Sequence, residues 1–200
     1  MNSNNIEWLR KRSNQYTLVS LFFTDPHTSK FGLLLDSEFQ DQFKIDFLKG
    51  NIQKIQHAYL HLFSHSLSKP NSLYEIENLA NGDVFYRTHC LADITGFYKA
   101  FGLQVNPSER ADHISVECEF MSHLILKEII AIENNLGNET IKIAHDAQVS
   151  FGGDHLFKWA IPFCNRLKEE DSLYYREVSK IAGDFFRIEQ PGEPNLASSD

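Results

Sequence analysis

SERADHISVECEFMSHL, residues 108–124, contains the start of a long amphipathic helix that organises the fold. At about 100° per residue, the apolar side chains of this stretch fall within an arc of roughly 140°. Two polar side chains, His113 and Glu117, lie in the same arc, where burial without a partner costs several kcal/mol. We therefore expect a compensating contact, and the simplest is a buried hydrogen bond between the two.

Helical periodicity dominates the rest of the chain, and the alternation typical of β-strands is almost absent. The pattern predicts an all-α fold, a single-domain helical bundle around a central helix at about residues 112–136. Beyond Leu124 this helix is apolar on most sides, which predicts a place at the centre of the bundle. The predicted helices are 4–23, 28–35, 37–48, 51–67, 83–101, 112–136, 139–150, 155–168 and 172–187. The predicted loops are 68–82, 103–111 and 151–154.

Capping residues support several of these boundaries. Asp112 precedes the central helix and is predicted to be its N-cap, an interaction typically worth about 1 kcal/mol. Asp171 and Ser172 precede the last helix, and Gly102 and Gly137 follow predicted helix ends.

Composition limits both the architecture and the partners. The chain has 200 residues, of which 42% are hydrophobic, enough for one compact domain. We assign residues 1–188 to this domain and expect the Pro-, Gly- and Ser-containing segment 189–200 to be a disordered tail. The net charge of −8 argues against a nucleic-acid partner or an anionic membrane surface and is compatible with a basic partner.

Cysteine usage and hydropathy indicate the compartment. Cys90, Cys118 and Cys164 are isolated within apolar helical patterns, so we expect buried thiols in a reducing compartment rather than disulfides. No apolar run reaches the roughly 18 residues of a membrane span, and no cleavage site follows the basic residues near the N-terminus. These features predict a cytoplasmic protein without stable membrane insertion.

Sequence templates for catalysis are absent. The chain has no phosphate-binding glycine loop, no nucleophile elbow and no HExxH zinc motif, so we predict neither an enzyme nor a resident cofactor. His57, His61 and His65 lie opposite the buried side of their helix, which favours a solvated stripe over a metal site.

One alternative keeps metal chemistry open. His89 and Asp93 are spaced one helical turn apart, most simply as a surface contact, but they could join His113 and Glu117 as ligands. The chain would then be a helical metalloprotein, and stoichiometric metal after purification would distinguish this class from a binding protein.

Acidic residues near the central helix favour a binding protein over a metalloprotein. Glu109 and Asp112 lie where a long loop meets the positive N-terminal end of that helix. Acidic groups gathered at such a junction could receive a basic peptide.

The same stretch resembles a known family. ERADHISVECEFMSHL (109–124) is similar to the E-x-P-D-H-x-x-x-E-L-x-F-M segment of the TorD/DmsD/NarJ family, cytoplasmic chaperones that assist maturation of molybdenum-containing redox enzymes. Ala111 stands where the family usually has Pro, which predicts a more mobile loop before the central helix. Similar segments continue in the family's order from about residue 55 to 187: AYLHLF (58–63), SLYE (72–75), YKAFGL (98–103), HLFKWAIPFCNRL (155–167) and YYREVSKIAGDFF (174–186).

The resemblance implies a peptide-binding surface built from two loops. The Asp and His of the family's motif, implicated in recognising the client's signal peptide, fall on Asp112 and His113. The aromatic residue and the acid of the preceding loop fall on Tyr74 and Glu75. The predicted peptide-binding residues are Tyr74, Glu75, Glu109, Asp112 and His113, with Glu117 and Trp159 as structural support.

The implied function is that of a non-catalytic chaperone of anaerobic respiration. It would bind the twin-arginine signal peptide, the apo-form, or both, of the precursor of a molybdopterin-containing oxidoreductase, assist cofactor insertion and delay export. A stable accessory subunit that stays with its enzyme is a third interpretation. The family also implies either a monomer or a domain-swapped dimer.

Overall fold

The computed structural model describes residues 3–36, 52–63, 71–80, 83–107 and 109–190. Within these ranges the chain forms eight α-helices and no β-strand, which confirms the all-α prediction. The helices are α1 (Ser3–Phe22), α2 (Ile52–Phe63), α3 (Glu75–Leu79), α4 (Val84–Ala100), α5 (Ile114–Glu133), α6 (Asn138–Phe151), α7 (Phe157–Leu167) and α8 (Leu173–Glu189). A 3₁₀ helix spans Ser29–Leu35. The helix predicted at 37–48 and the tail segment 191–200 lie outside the described residues.

Helix α5 is the centre of the bundle, as the sequence predicts. Helices α1 and α6 pack along it, while α7 and α8 pair with each other. The first half of α5 is buried almost continuously from Ile114 to Ser122. In the second half Leu126 and Ile130 are exposed, so this half is not buried on all sides. Because α1 and α6 are the described helices that pack most extensively on α5, part of its circumference stays in solvent.

The predicted cap residue is confirmed at the last helix and is wrong at the central helix. Ser172 caps α8, and its hydroxyl accepts a hydrogen bond from a backbone N–H of the first turn. Gly102 and Gly137 follow α4 and α5 with φ of 79° and 92°, a region that glycine enters without a Cβ clash. Asp112 is not the N-cap of α5, since that position belongs to His113.

The glycine pair at 152–153 does not interrupt the helical path. Residues Gly152–Leu156 form a π-helical turn that joins α6 to α7, so the loop predicted at 151–154 is wrong. A Cβ at position 152 would lie 2.5 Å from Cε2 of Phe157, which explains why glycine is needed there. The extra residue of a π-turn changes the direction of the side chains around it, and His155 is one of them.

Two other boundaries differ from the prediction. The predicted loop 68–82 contains the short helix α3. The last helix extends to Glu189, whose buried carboxylate accepts hydrogen bonds of 2.9 Å and 2.6 Å from the guanidinium of Arg12 on α1. Glu189 therefore belongs to the bundle and not to a tail.

The histidines and cysteines lie largely as the sequence predicts. His57 and His61 are exposed on α2, and His65 lies outside the described residues. The three cysteines are buried and free. None of the described helices combines the length and the apolar character that a membrane span requires.

Candidate functional site

The two loops predicted to frame the site are joined directly. Tyr74 and His113 form an isolated antiparallel β-bridge, and their rings pack edge to face with centroids 5.1 Å apart. Two backbone hydrogen bonds of 2.9 Å flank the bridge: Glu75 N–H to the Asp112 carbonyl, and Ile114 N–H to the Leu73 carbonyl. The start of α5 is therefore fixed to the segment that precedes α3.

Asp112 holds this junction together from the inside, because its side chain has no exposed surface. The carboxylate accepts hydrogen bonds from Nε and Nη2 of Arg110 at 3.0 Å and 2.8 Å. It also accepts one from the backbone N–H of Ile76 at 3.3 Å. The N-cap prediction for Asp112 is wrong because the carboxylate faces the first turn of α3 instead of the first turn of α5.

His113 is the residue that caps α5. Its Nδ1 accepts a hydrogen bond from the Ser115 N–H at 3.1 Å, and an Nδ1 that accepts is unprotonated. Burial of the ring, together with the positive charges of Lys30 and Arg110, lowers the pKa of His113 to about 4. The ring is therefore neutral at physiological pH.

A cleft of about 350 Å³ opens beside the bridge. The guanidinium of Arg110 stacks on the Tyr74 ring, 4.0 Å from its centroid, and the two side chains form one wall. His113 lies next to this wall, partly exposed. Other residues that line the cleft are Asp25, Lys30, Tyr59 and Glu109.

Two acidic and two basic side chains line the cleft. Its two cations are already paired, Arg110 with Glu77 and Asp112, and Lys30 with Glu119. Glu109 is exposed and makes no ion pair with a described residue. Oδ1 of Asp25 accepts a hydrogen bond from the His27 N–H at 2.9 Å and lies 2.7 Å from the His27 imidazole, at a half-exposed position. The exposed carboxylate of Glu109 next to an aromatic wall suits a cationic ligand.

Glu75 lies beneath the cleft and does not line it. Its side chain is 1% exposed, and its two oxygens lie 3.1 Å and 3.2 Å from Nδ1 of His155. The expectation that Glu75 and Asp112 lie on an exposed surface is therefore wrong. Both carboxylates face the interior, where that of Asp112 bonds to the first turn of α3 and that of Glu75 contacts His155.

His155 has a second carboxylate partner, because its Nε2 lies 3.1 Å from Oδ2 of Asp93. Burial alone would lower the pKa of His155, but the hydrogen bond and charge of Glu75, helped by Asp93, raise it. Cys90 donates to Oε1 of Glu75 at 3.3 Å. Burial and the charge of Glu75 raise the pKa of the Cys90 thiol.

Glu117 is compensated by Trp159 and not by His113, so the predicted pair is wrong. The indole Nε1–H of Trp159 donates to Oε2 of Glu117 at 3.0 Å, and this bond ties α7 to α5. Oε1 of Glu117 accepts no hydrogen bond from a described residue. Burial and the negative charge of Glu75 raise the pKa of Glu117 well above its usual value.

The alternative ligand set of His113 and Glu117 with His89 and Asp93 is not assembled. The ring of His113 caps α5, Glu117 bonds to Trp159, and His89 is exposed. Asp93 reaches inward to His155 and is not simply a surface partner of His89.

The sequence analysis missed two residues that contact the buried carboxylate of Glu75, Cys90 and His155. The available signals were weak: Cys90 lies three residues before Asp93 on α4, and His155 opens the HLFKW segment. The π-turn that aims His155 at Glu75 has no sequence signature that separates it from a loop.

Comparison with known proteins places this site in a family context. A relative from Thauera selenatis, described as a selenate reductase assembly chaperone protein, is 30% identical over 125 residues, which cover 61% of this chain and 62% of the relative. The match thus spans less than two thirds of the relative's length. The model of the nitrate reductase delta subunit family matches residues 37–165, more than half of the chain, including both loops of the junction. The chain therefore belongs to the nitrate reductase delta subunit family, which confirms the resemblance to the TorD/DmsD/NarJ chaperones.

Proposed function

We propose that this protein is a non-catalytic assembly chaperone for a molybdopterin-containing oxidoreductase. It binds the twin-arginine signal peptide, the apo-form, or both, of the enzyme precursor in the cytoplasm. While bound, it assists cofactor insertion and delays export. Binding energy alone suffices for this role, so no catalytic group is required.

The family membership and the named role of the relative support the chaperone part of the proposal. The observation that carries the peptide part is the cleft beside the Tyr74–His113 bridge. It combines an aromatic wall with the exposed carboxylate of Glu109, which makes no ion pair with a described residue, and the whole chain carries a net charge of −8. These features complement a segment that combines arginine with apolar residues.

In the proposed complex an arginine of the signal bonds to the carboxylate of Glu109, with Asp25 as a second acidic contact. Apolar residues of the signal pack against the rings of Tyr74 and Tyr59, which line the same cleft. Because His113 is neutral, it adds a hydrogen-bonding Nε2 without repelling the basic peptide. Glu75 and Asp112 are positioning residues that hold the bridge.

Isothermal titration with a synthetic twin-arginine signal peptide tests this binding mode. Glu109→Gln and Tyr74→Ala are each expected to weaken binding by about tenfold, since each removes a charge-assisted bond or an aromatic contact of roughly 1.4 kcal/mol. Glu139→Gln, which removes an exposed acid of α6 outside the cleft lining, is the matched control and leaves the affinity unchanged. Equal affinity for wild type and both cleft variants would remove the site assignment.

Co-purification from the native host, grown without oxygen, tests the client. We expect the tagged protein to retain one molybdoenzyme precursor with its signal intact, and the Glu109→Gln and Tyr74→Ala variants to lose it. A complex that persists after cofactor loading would instead identify an accessory subunit. Absence of any molybdoenzyme from the wild-type sample would contradict the chaperone proposal.

A further inference from the structure

Three side chains from different elements converge beneath the bridge. Glu75 opens α3, Cys90 lies in α4, and His155 lies in the π-turn before α7. Their potential ligand atoms all lie within 4.8 Å of one another. Sγ of Cys90 and Nδ1 of His155 lie 3.3 Å and 3.1 Å from the same oxygen, Oε1 of Glu75.

We propose that Glu75, Cys90 and His155 bind a divalent transition metal ion of the zinc class. In tetrahedral zinc sites, bonds of about 2.0–2.3 Å place the donor atoms roughly 3.3–3.7 Å apart. The two short distances to Oε1 are close to that spacing, so small side-chain shifts would open the position for the ion. A carboxylate oxygen, a thiolate and an imidazole are all accepted by zinc.

The environment of His155 matches that of a metal-binding histidine. Such a histidine normally donates its second ring N–H to a carboxylate, which fixes the ring and its tautomer. Here Nε2 of His155 faces Oδ2 of Asp93 at 3.1 Å, while Nδ1 faces the other two donors. The Asp93 side chain is 52% exposed, which gives the cluster an edge that solvent and ions can reach.

Metal binding preserves the charge of the interior. His155 has a carboxylate at each ring nitrogen, and only the imidazolium form donates to both. The ion would replace two protons, one from Nδ1 of His155 and one from Sγ of Cys90, and both would pass to solvent. Two positive charges enter and two leave, so no uncompensated charge is buried.

This site differs from the peptide cleft and would tie α3, α4 and the π-turn together. Its test uses the full-length chain, stripped with a chelator under reducing conditions and titrated with Co²⁺. We expect one equivalent of Co²⁺ to produce the intense thiolate-to-cobalt charge-transfer absorption. Zn²⁺ should then displace Co²⁺ and remove this absorption. Zn²⁺ should also raise the midpoint of thermal unfolding.

Cysteine variants provide a matched comparison. Cys90→Ser keeps a donor to Glu75 and should fold, but it abolishes the charge-transfer absorption. Cys164→Ser alters an equally buried thiol outside the cluster and should leave the absorption unchanged. His155→Gln, a second variant, should weaken Zn²⁺ binding by at least about tenfold.

Failure to bind one equivalent of Co²⁺ or Zn²⁺ would overturn the proposal, as would a charge-transfer absorption that survives in Cys90→Ser. The three side chains would then be a hydrogen-bonded network only. Peptide titration of the metal-free and zinc-loaded wild type is a separate readout. If neither form binds the peptide, the proposed function is contradicted and the metal result is unaffected.

Discussion

The substitution Asp112→Ala distinguishes two possible roles of Asp112, a helix N-cap and a buried link between α3 and the loop before α5. If Asp112 were an ordinary N-cap, as the sequence suggests, Asp112→Ala would cost about 1 kcal/mol. In the structure it instead joins the loop before α5 to α3 through one buried carboxylate. The free energy of unfolding therefore distinguishes the two roles.

The expected loss follows from the three hydrogen bonds of the carboxylate. Breaking a buried ion pair costs about 3–5 kcal/mol when the remaining charge stays buried. Arg110 is 41% exposed and regains water, so the ion pair accounts for about 2 kcal/mol. The backbone N–H of Ile76 loses its side-chain acceptor, which adds about 1 kcal/mol. We expect Asp112→Ala to lower the free energy of unfolding by about 3 kcal/mol.

Urea unfolding followed by circular dichroism measures this difference. Ser172→Ala is the matched control, because Ser172 is a true N-cap and its loss should cost about 1 kcal/mol. Asp112→Asn should fall between the two, since the amide oxygen can still accept from Ile76 but carries no charge. If Asp112→Ala costs no more than Ser172→Ala, the junction contributes little and the reasoning is refuted.

Two further predictions concern the cap of α5 and the π-turn. The pKa of His113 is lowered to about 4 in the folded state, so the unfolded chain binds the proton more readily and stability is lost as pH falls below about 6.5. Between about pH 7 and about pH 5 the free energy of unfolding should fall by up to about 2 kcal/mol, measured by urea unfolding at each pH. His113→Asn keeps a cap that does not titrate, so this part of the pH dependence should be absent from the variant. Gly152→Ala should lower the midpoint of thermal unfolding, with a cost of about 1–3 kcal/mol, because its Cβ would lie 2.5 Å from the Phe157 ring. Gly153→Ala meets no atom within 4 Å and should be neutral or stabilising; equal midpoints for the two variants would contradict the packing argument.

The helices that could be predicted from the sequence are those whose burial repeats along the chain. Helices α1, α5 and α8 lie within a few residues of the predicted ranges because each has several turns of periodic apolar residues. Their ends carry local signals as well, such as Ser172 and Gly137. Both kinds of signal involve neighbours within one or two turns, so they can be recognised before the fold is known.

Local signals failed where packing decides between alternatives. The glycine pair at 152–153 is typical of a loop, yet the chain continues as a π-turn because the ring of Phe157 packs against the space where a side chain would stand. Helix α3 has only five residues, too few for a periodic pattern. Asp112 has the position of a cap in the sequence, but its carboxylate bonds to the Ile76 N–H of α3, next to the backbone bridge between Tyr74 and His113.

By itself, the sequence determined the all-α fold, the central helix, the family and the two loops that meet at the site, because periodicity and ordered motifs are properties of neighbouring residues. Only the tertiary structure decided which polar groups are partners. Glu117 bonds to Trp159 across 42 positions, and Glu75 meets His155 across 80. Such pairs depend on how helices pack, since a buried polar group must find its partner in space and no local pattern specifies which one.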